Sequence, residues 1–338
     1  SLRLHRGEVL GIAGLVGAVA IGAKPIYLTL SNPAPGEPGA EECIDVGYSR
    51  LRISLPVFVA EQRGFFEEQG LNVCLQRYDT AQPLMQALVE GEVDVGGYTA
   101  LPITFNGMLR SGADLLFVSA MIEDQDHRIS YLLTPPDSDI ETVADLRGKR
   151  IGILPTIAYQ KWIEAILTDA GVDLSEVVIQ QIAPNLQPSA LQNGGVDALF
   201  TNDPAATSTI QLGVAEPMSP LVEVPAVLGE PFLFGSFNIR REWAEANPED
   251  ADAIIAALDA AIMFVNANPQ EAKAAMRSYL PEPFQPHVEF YPDARYLPTA
   301  EVDAAAFQAI ADQYADLGII PRPISLQGLV ITDSADGN

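Results

Sequence analysis

Two stretches of the chain repeat the same order of short apolar runs, turn residues and a helical pattern. The first covers residues 43–76 and the second residues 149–180. In the first, the apolar run 44–48 precedes a helix that starts near Pro56 and ends at Gly70, and the apolar run 71–76 follows. Proline suits the first turn of a helix, and glycine suits its C-terminal end. Each stretch therefore predicts a β-strand, an α-helix and a second β-strand parallel to the first.

The segment that follows each stretch is also repeated. Residues 87–94 (ALVEGEVD) return as residues 190–197 (ALQNGGVD), with Ala, Leu, Gly, Val and Asp at equivalent positions 103 residues apart. Solenoid repeats have periods of about 20–50 residues, so this longer spacing predicts two similar α/β lobes. Ligands of open α/β sheets lie beyond the carboxyl ends of the strands, so the turns that follow the strands are expected to face a cleft between the lobes.

The order of the elements predicts that the first lobe is built from two separate parts of the chain. We expect residues 43–130 and 238–338 to form lobe 1 and residues 131–237 to form lobe 2. The apolar segment 229–238 (GEPFLFGSFN) is expected to carry the chain back to lobe 1. Beyond Pro248, apolar residues at helical spacing predict helices at 251–266, 269–280 and 300–317 that pack on lobe 1.

The N-terminus combines basic residues with a long apolar run. Arg3 and Arg6 precede the uncharged run 9–23, and extension to residue 30 gives 22 residues, about enough to cross a bilayer core of ~30 Å. A cleaved signal peptide and a lipoprotein signal are the alternatives, the latter weakened because Cys43 lies beyond the Pro/Gly-rich segment 31–42. We expect residues 1–30 to be an uncleaved transmembrane anchor in the bacterial inner membrane. With its arginine end cytoplasmic, the rest of the chain would face the periplasm.

The chain is strongly acidic, with a formal net charge of −26 over 338 residues. Nucleic acids and anionic lipid surfaces would repel it, so neither is expected as a partner. With 48% hydrophobic residues, the chain can bury the cores of about two domains.

The two cysteines, Cys43 and Cys74, fall in the two predicted strands of the first stretch. Strands joined by a crossover helix are usually neighbours, so a disulfide between the two is possible. Two separate buried thiols are the alternative. An extracytoplasmic location favours the disulfide.

Polar and aromatic side chains follow the predicted strands and would line the cleft. A set of hydroxyl, amide and aromatic groups with one arginine, together with the helix N-termini near Thr80 and Thr156, suits a small oxyanion or carboxylate; each helix end favours an anion by ~0.3–1 kcal/mol. Asp203 would instead favour an amine, so a zwitterionic ligand is the alternative. The residues that we expect to contact the ligand are Tyr48, Ser49, Arg50, Thr80, Tyr98, Thr99, Thr156, Tyr159, Asn202 and Asp203.

The sequence offers few groups for catalysis. The segment 47–51 (GYSRL) lacks the second glycine of a nucleophile elbow, and Arg150 stands where a phosphate-binding loop requires Ser or Thr. The histidines are His5, His127 and His287; a loop with Asp124, Asp126 and His127 is more often solvated than cation-binding. We therefore expect no enzymatic activity, no cofactor and no metal site.

Four segments resemble a known family: 55–73 (LPVFVAEQRGFFEEQGLNV), 87–97 (ALVEGEVDVGG), 139–152 (DIETVADLRGKRIG) and 191–204 (LQNGGVDALFTNDP). In these segments the chain is similar to the periplasmic solute-binding proteins of the nitrate, sulfonate, taurine and thiamine-precursor class, the NMT1 or SsuA/TauA-like group. The resemblance implies a type II periplasmic-binding-protein fold, with a hinge of two crossing strands and a small ligand in the cleft. It also implies delivery of that ligand to an ABC permease. A structural subunit of another integral membrane complex is the alternative.

Overall fold

A computed structural model describes residues 43–218 and 223–332. The predicted anchor and the linker, residues 1–42, lie outside the described residues. Among the residues that are described, no helix combines the length and the apolar character that a membrane span needs.

Strands and helices alternate through most of the described chain. The strands are β1 Ile44–Ser49, β2 Val73–Tyr78, β3 Val95–Ala100, β4 Leu115–Glu123, β5 Ser130–Thr134, β6 Arg150–Ile153, β7 Val178–Gln181, β8 Ala198–Asn202, β9 Glu216–Pro217, β10 Phe232–Arg240 and β11 Arg295–Leu297. The α-helices are α1 Leu55–Arg63, α2 Phe65–Glu68, α3 Ala81–Glu90, α4 Leu101–Ser111, α5 Ile157–Asp169, α6 Gln187–Gln192, α7 Ala205–Gln211, α8 Glu223–Leu228, α9 Arg241–Ala246, α10 Pro248–Ala267, α11 Pro269–Ala275 and α12 Ala304–Asp316.

The strands form two separate sheets, and each sheet with its helices makes one lobe. The six-stranded sheet of lobe 1 has the order β11-β4-β10-β3-β1-β2, and the five-stranded sheet of lobe 2 has the order β7-β6-β8-β5-β9. In lobe 1, β1 is parallel to β2 and β3; in lobe 2, β6 is parallel to β7 and β8 in the same arrangement. The repeated sequence pattern therefore corresponds to a repeated fold, and the α/β class predicted from the sequence is confirmed.

The aspartate shared by the two repeats has the same structural role in both lobes. The Asp94 carboxylate accepts a hydrogen bond from the backbone N–H of Asp45 at 3.4 Å. The Asp197 carboxylate likewise accepts from the backbone N–H of Arg150 at 2.8 Å. Each aspartate thus ties the start of its own strand to the first strand of its repeat, which gives a structural reason for its place in the repeat.

Two connections join the lobes, between β4 and β5 and between β9 and β10. Strand β10 pairs with β3 and β4 along its length, so it belongs to lobe 1 from Phe232 onward. The return to lobe 1 therefore takes place before Phe232, and most of the apolar segment 229–238 is a buried strand because it lies between two neighbours.

The first predicted helix is divided into α1 and α2 at Gly64, which has a φ of 75°. This left-handed conformation suits glycine and ends an α-helix. The C-terminal helices pack on lobe 1: α10 contacts α1 and α2, and α12 contacts β10. The predicted helix 269–280 is shorter than expected, because α11 ends at Ala275 and 3₁₀ turns follow it.

Cys43 and Cys74 form a disulfide, with their Cα atoms 5.6 Å apart. The bond is possible because β1 and β2 are adjacent and parallel, with Ile44 opposite Val73. The disulfide joins the first residue of lobe 1 that the structure describes to the second strand of its sheet.

Candidate functional site

The two lobes meet in a buried ion pair between Arg52 and Asp203. Arg52 lies in the turn that follows β1 of lobe 1, and Asp203 directly follows β8 of lobe 2. The Arg52 Nη1 atom is 2.9 Å from Asp203 Oδ2, and the two side chains are only 4% and 2% exposed. Since both residues follow strand ends, the ion pair lies where the sequence predicts the interlobe cleft.

Further hydrogen bonds hold each partner of this ion pair. Arg52 also donates to the carbonyl oxygens of Arg128 at 3.0 Å and Pro292 at 3.4 Å. Asp203 Oδ1 accepts from the backbone N–H of Thr207 at 3.0 Å and from its hydroxyl at 2.5 Å. Burial raises the pKa of Asp203, although the Arg52 charge and the Thr207 hydrogen bonds oppose the rise.

Aromatic rings form a second contact between the lobes. The ring centroid of Trp162, on α5 of lobe 2, lies 5.4 Å from that of Phe232 and 6.4 Å from that of Tyr314 on α12 of lobe 1. Tyr159 precedes Trp162 by one helical turn, and their ring centroids are 5.1 Å apart. All four side chains are buried. We call Tyr159, Trp162 and Tyr314 the interlobe aromatic group.

The polar atoms of the interlobe aromatic group have no hydrogen-bond partner among the described residues. These atoms are the phenol oxygens of Tyr159 and Tyr314 and the indole Nε1 of Trp162. The Tyr159 phenol lies near the Asn202 side chain, but no hydrogen bond of normal geometry joins them. Native proteins leave few buried polar atoms unpaired. Three of them on contacting side chains therefore favour a site that binds a further molecule.

Glu123 adds a buried carboxylate to this region. It ends β4 and lies opposite Phe232 of β10. Its Oε1 atom accepts hydrogen bonds from the backbone N–H groups of Ile129 at 2.8 Å and Ser130 at 2.5 Å, and from the Ser130 hydroxyl at 2.8 Å. Its Oε2 atom is buried and has no partner among the described residues. Burial raises the Glu123 pKa, and the three donors and the Arg128 charge oppose this rise.

Of the expected ligand contacts at the end of β1, all three side chains are held within lobe 1. The Tyr48 ring packs edge to face on Tyr279, with centroids 5.8 Å apart. Ser49 shares a hydrogen bond of 3.2 Å with Ser54. Arg50 donates to the carbonyl oxygen of Tyr279 at 2.9 Å. The arginine at the interlobe contact is therefore Arg52, two residues further along the same turn.

The expected contacts at the end of β3 are buried inside lobe 1. The Tyr98 hydroxyl lies 2.5 Å from the Ser119 hydroxyl, and the Thr99 hydroxyl lies 2.6 Å from that of Thr104. Both predicted side chains are fully buried.

Thr80 and Thr156 are exposed and precede α3 and α5. Thr156 accepts a hydrogen bond from the Tyr159 N–H at 3.2 Å and caps its helix, whereas Thr80 makes no capping bond. Of the residues expected to contact a ligand, the structure places Tyr159, Asn202 and Asp203 at or beside the interlobe contacts.

Sequence reasoning missed Arg52, Glu123, Trp162 and Tyr314. Two of them carried a signal: Glu123 is a charged residue at the end of an apolar strand, and Trp162 follows Tyr159 at helical spacing. Tyr314 gave no signal, because it reaches the site from a helix of the other lobe.

Cys43, Asp45 and Cys74 place potential metal ligands close together. Both sulfur atoms belong to the disulfide, so they are unsuited to bind a metal ion. In the polar loop that contains Asp124 and His127, His127 Nδ1 lies 2.8 Å from the Asp124 carboxylate, so these two side chains bond to each other.

Two surface depressions of about 230 and 320 Å³ lie away from the lobe contact. The arginines that line them are already paired: Arg63 with Glu271, Arg240 with Glu242, and Arg241 with Asp114. Unlike the interlobe aromatic group, the described residues that line these depressions present no unpaired buried polar atoms.

Comparison with known proteins gives consistent matches over both lobes. A family model described as "NMT1/THI5 like" matches residues 53–272. An aliphatic sulfonates-binding protein of Escherichia coli (strain K12) is 21% identical over 304 residues, which are 89% of this chain and 92% of that protein. A thiamine biosynthesis protein of Haemophilus influenzae is 24% identical over 283 residues, 80% of this chain and 85% of that protein.

The crystal structure of the periplasmic aliphatic sulphonate binding protein SsuA from Escherichia coli has the same fold. It matches with a TM-score of 0.69 and 20% identity, over 86% of this chain and 98% of that one. This likeness confirms the periplasmic-binding-protein architecture of two lobes. The sulfonate-related proteins are named for binding and not for catalysis, in agreement with the expectation that this chain is not an enzyme.

Proposed function

Because the chain belongs to the NMT1/THI5-like family, we propose that it is an extracytoplasmic solute-binding protein that captures a small polar or anionic molecule for an ABC importer. One observation carries the proposal: the buried, unpaired polar atoms of Tyr159, Trp162 and Tyr314 at the lobe contact. Leaving such atoms unpaired costs about 1–3 kcal/mol each. A ligand that bonds with them would recover part of this free energy.

Capture would couple ligand binding to the relative position of the lobes. Tyr159 and Trp162 belong to lobe 2, whereas Tyr314 belongs to lobe 1. A molecule that contacts all three stabilises the conformation in which the lobes touch, through contacts that a separated pair of lobes would lack. The connections β4–β5 and β9–β10 would act as the hinge, and Glu123 fixes one of them.

The ligand class that we propose comprises nitrate, sulfonates, taurine and thiamine precursors. The names of the sulfonate-binding and thiamine-related relatives support this range. We further propose that residues 9–30 anchor the protein to the bacterial inner membrane, where the domain would face the periplasm and meet an ABC permease. The periplasmic location given in the name of the solved relative supports this placement.

A structural subunit of a larger membrane complex is the second candidate function. The observation that favours it is the buried Arg52–Asp203 ion pair, which already joins the lobes. A scaffold gains from lobes that stay together, whereas a transport protein must also release its ligand.

The two tryptophans, Trp162 and Trp243, allow a direct binding test. The full chain, purified in mild detergent, is titrated with ethanesulfonate, nitrate, taurine and 4-aminopyrimidine. In Trp243→Phe, the fluorescence reports on Trp162 at the lobe contact. In Trp162→Phe it reports on Trp243, which lies on α9 of lobe 1 and serves as the matched control.

We expect at least one of these molecules to produce a saturable emission change in Trp243→Phe and none in Trp162→Phe. Equal changes in both variants would place binding outside the lobe contact. No change with any molecule, together with stoichiometric co-purification of a membrane complex that is not an ABC transporter, would favour the structural alternative.

A further inference from the structure

The hydrogen-bonding groups at the lobe contact are of two chemical kinds. The indole N–H of Trp162 can only donate, and the phenols of Tyr159 and Tyr314 can donate to an acceptor oxygen. These three side chains touch in series, with centroid distances of 5.1 Å and 6.4 Å. A ligand with acceptor oxygens would satisfy them.

Glu123 supplies the opposite kind of group. Its Oε2 atom is unpaired and buried. Phe232, which lies opposite Glu123 in the sheet, has its ring centroid 5.4 Å from that of Trp162. Burial raises the pKa of the Tyr159 phenol, and the Glu123 charge raises it further, so the carboxylate lies within electrostatic range of the aromatic group.

Three hydrogen bonds converge on the Oε1 atom of Glu123. Burial raises the Glu123 pKa, and these hydrogen bonds oppose the rise by favouring the charged form. In that charged form the Oε2 atom accepts hydrogen bonds but cannot donate one, so it needs an N–H or O–H donor from a bound molecule.

The other acidic residue of the interface does not need such a donor. Arg52 compensates the Asp203 charge at 2.9 Å, and Thr207 donates to the second carboxylate oxygen. When both carboxylates are ionised, the charges of Arg52, Arg128, Glu123 and Asp203 sum to zero. The surroundings therefore carry no excess positive charge to balance a bare anion.

From these groups we infer that the site selects a small molecule that carries an N–H donor beside acceptor oxygens or ring nitrogens. In this inference, the Glu123 carboxylate accepts the hydrogen bond from that donor. This inference rests on the proposed function. A site built to hydrogen-bond a polar group discriminates against the analogue that lacks it, because the buried site group is then left unpaired. Bare nitrate and simple alkanesulfonates are accordingly expected to be poor ligands.

Two matched pairs of probes test the inference by titration calorimetry on the full chain in detergent. Taurine differs from ethanesulfonate by its ammonium group, and 4-aminopyrimidine differs from pyrimidine by its amino group. In at least one pair we expect the amine-bearing member to bind on the order of tenfold or more tightly. Glu123→Gln should remove this preference.

Tyr159→Phe is the matched control variant for Glu123→Gln. It removes a buried phenol that faces the acceptor end of the ligand, so both members of a pair should weaken together and their ratio should persist. Circular dichroism and the thermal midpoint check that each variant folds. If Glu123→Gln does not fold, equal binding within both pairs by the wild type still overturns the inference.

Equal binding within both pairs, or a preference that survives Glu123→Gln, would overturn the inference. Binding of ethanesulfonate or nitrate alone would overturn it while leaving the proposed function intact. Failure of both amine-bearing probes to bind would also count against it, and failure of every probe would count against the proposed function as well.

Discussion

Replacement of Asp203 by asparagine is expected to destabilise the protein strongly. The change keeps the size of the side chain but removes the charge that lies 2.9 Å from Arg52, where both side chains are almost inaccessible to water. Removing one partner of a buried ion pair typically costs about 3–5 kcal/mol, because the other charge stays buried without compensation. Arg52 would retain its bonds to the carbonyl oxygens of Arg128 and Pro292. We therefore expect a loss of about 3 kcal/mol, at the lower end of that range.

Urea denaturation followed by circular dichroism measures this loss as a change in the free energy of unfolding. Glu176→Gln is the matched control, because its partner Arg147 lies at 2.9 Å in an ion pair whose side chains are 49% and 46% exposed. An exposed pair contributes about 0–1 kcal/mol. If the two substitutions cost the same, the Arg52–Asp203 pair is accessible to water in solution and the reasoning fails.

A double replacement separates the destabilisation caused by an unpaired buried charge from the net stabilisation that the ion pair contributes. Arg52→Met combined with Asp203→Leu removes both charges and leaves apolar groups in the buried space. Replacement of a buried ion pair by apolar residues is often neutral or stabilising. The double variant should therefore be more stable than Asp203→Asn, and an additional loss would show that the pair stabilises the fold by itself.

Two further predictions concern lobe stability. The Arg150 hydrogen bond lowers the pKa of Asp197, so the stabilisation that the ionised Asp197 provides is present above the unfolded-state pKa and is lost as the pH falls below about 4. Asp197→Asn should therefore lower the free energy of unfolding by about 0.5–1 kcal/mol at pH 7, because the pair is partly exposed. The same decrease at pH 3 would contradict this prediction. The double variant Cys43→Ser with Cys74→Ser should lose about 2–4 kcal/mol of the free energy of unfolding, since the disulfide restricts the unfolded chain. A reductant should destabilise the wild type alone, and an equal destabilisation of the double variant would refute the prediction.

Much of the fold follows from local patterns in the sequence. The apolar runs and Gly70 predicted parallel β-α-β units, and the repeat that contains Asp94 and Asp197 predicted two similar lobes. The two sheets contain such units. Those signals are local because strand alternation, helix ends and short turns depend on residues close in the chain. The residue at which β10 begins in lobe 1 was less predictable. An apolar run that connects two lobes shows the same hydrophobic pattern whichever of the two sheets it joins.

The candidate site was only partly visible in the sequence. Asp203 and Tyr159 were predicted because they follow strands, and both lie at the lobe contact. Arg50 was chosen in place of Arg52 because the sequence does not show which side chain of a tight turn faces the other lobe. In the structure, Arg50 bonds to the backbone of its own lobe.

The α/β class, the repeat and the strand ends at which a cleft would form follow from the order of the residues alone. Which side chains meet at those strand ends depends on how the folded lobes pack. Tyr314 and Trp162 are far apart in the chain and touch because α12 of lobe 1 and α5 of lobe 2 are brought together. Glu123 belongs to the site because backbone N–H groups at the β4–β5 connection donate to one of its carboxylate oxygens and leave the other unpaired. Contacts of this kind depend on how two lobes pack, and no local pattern of residues encodes that packing.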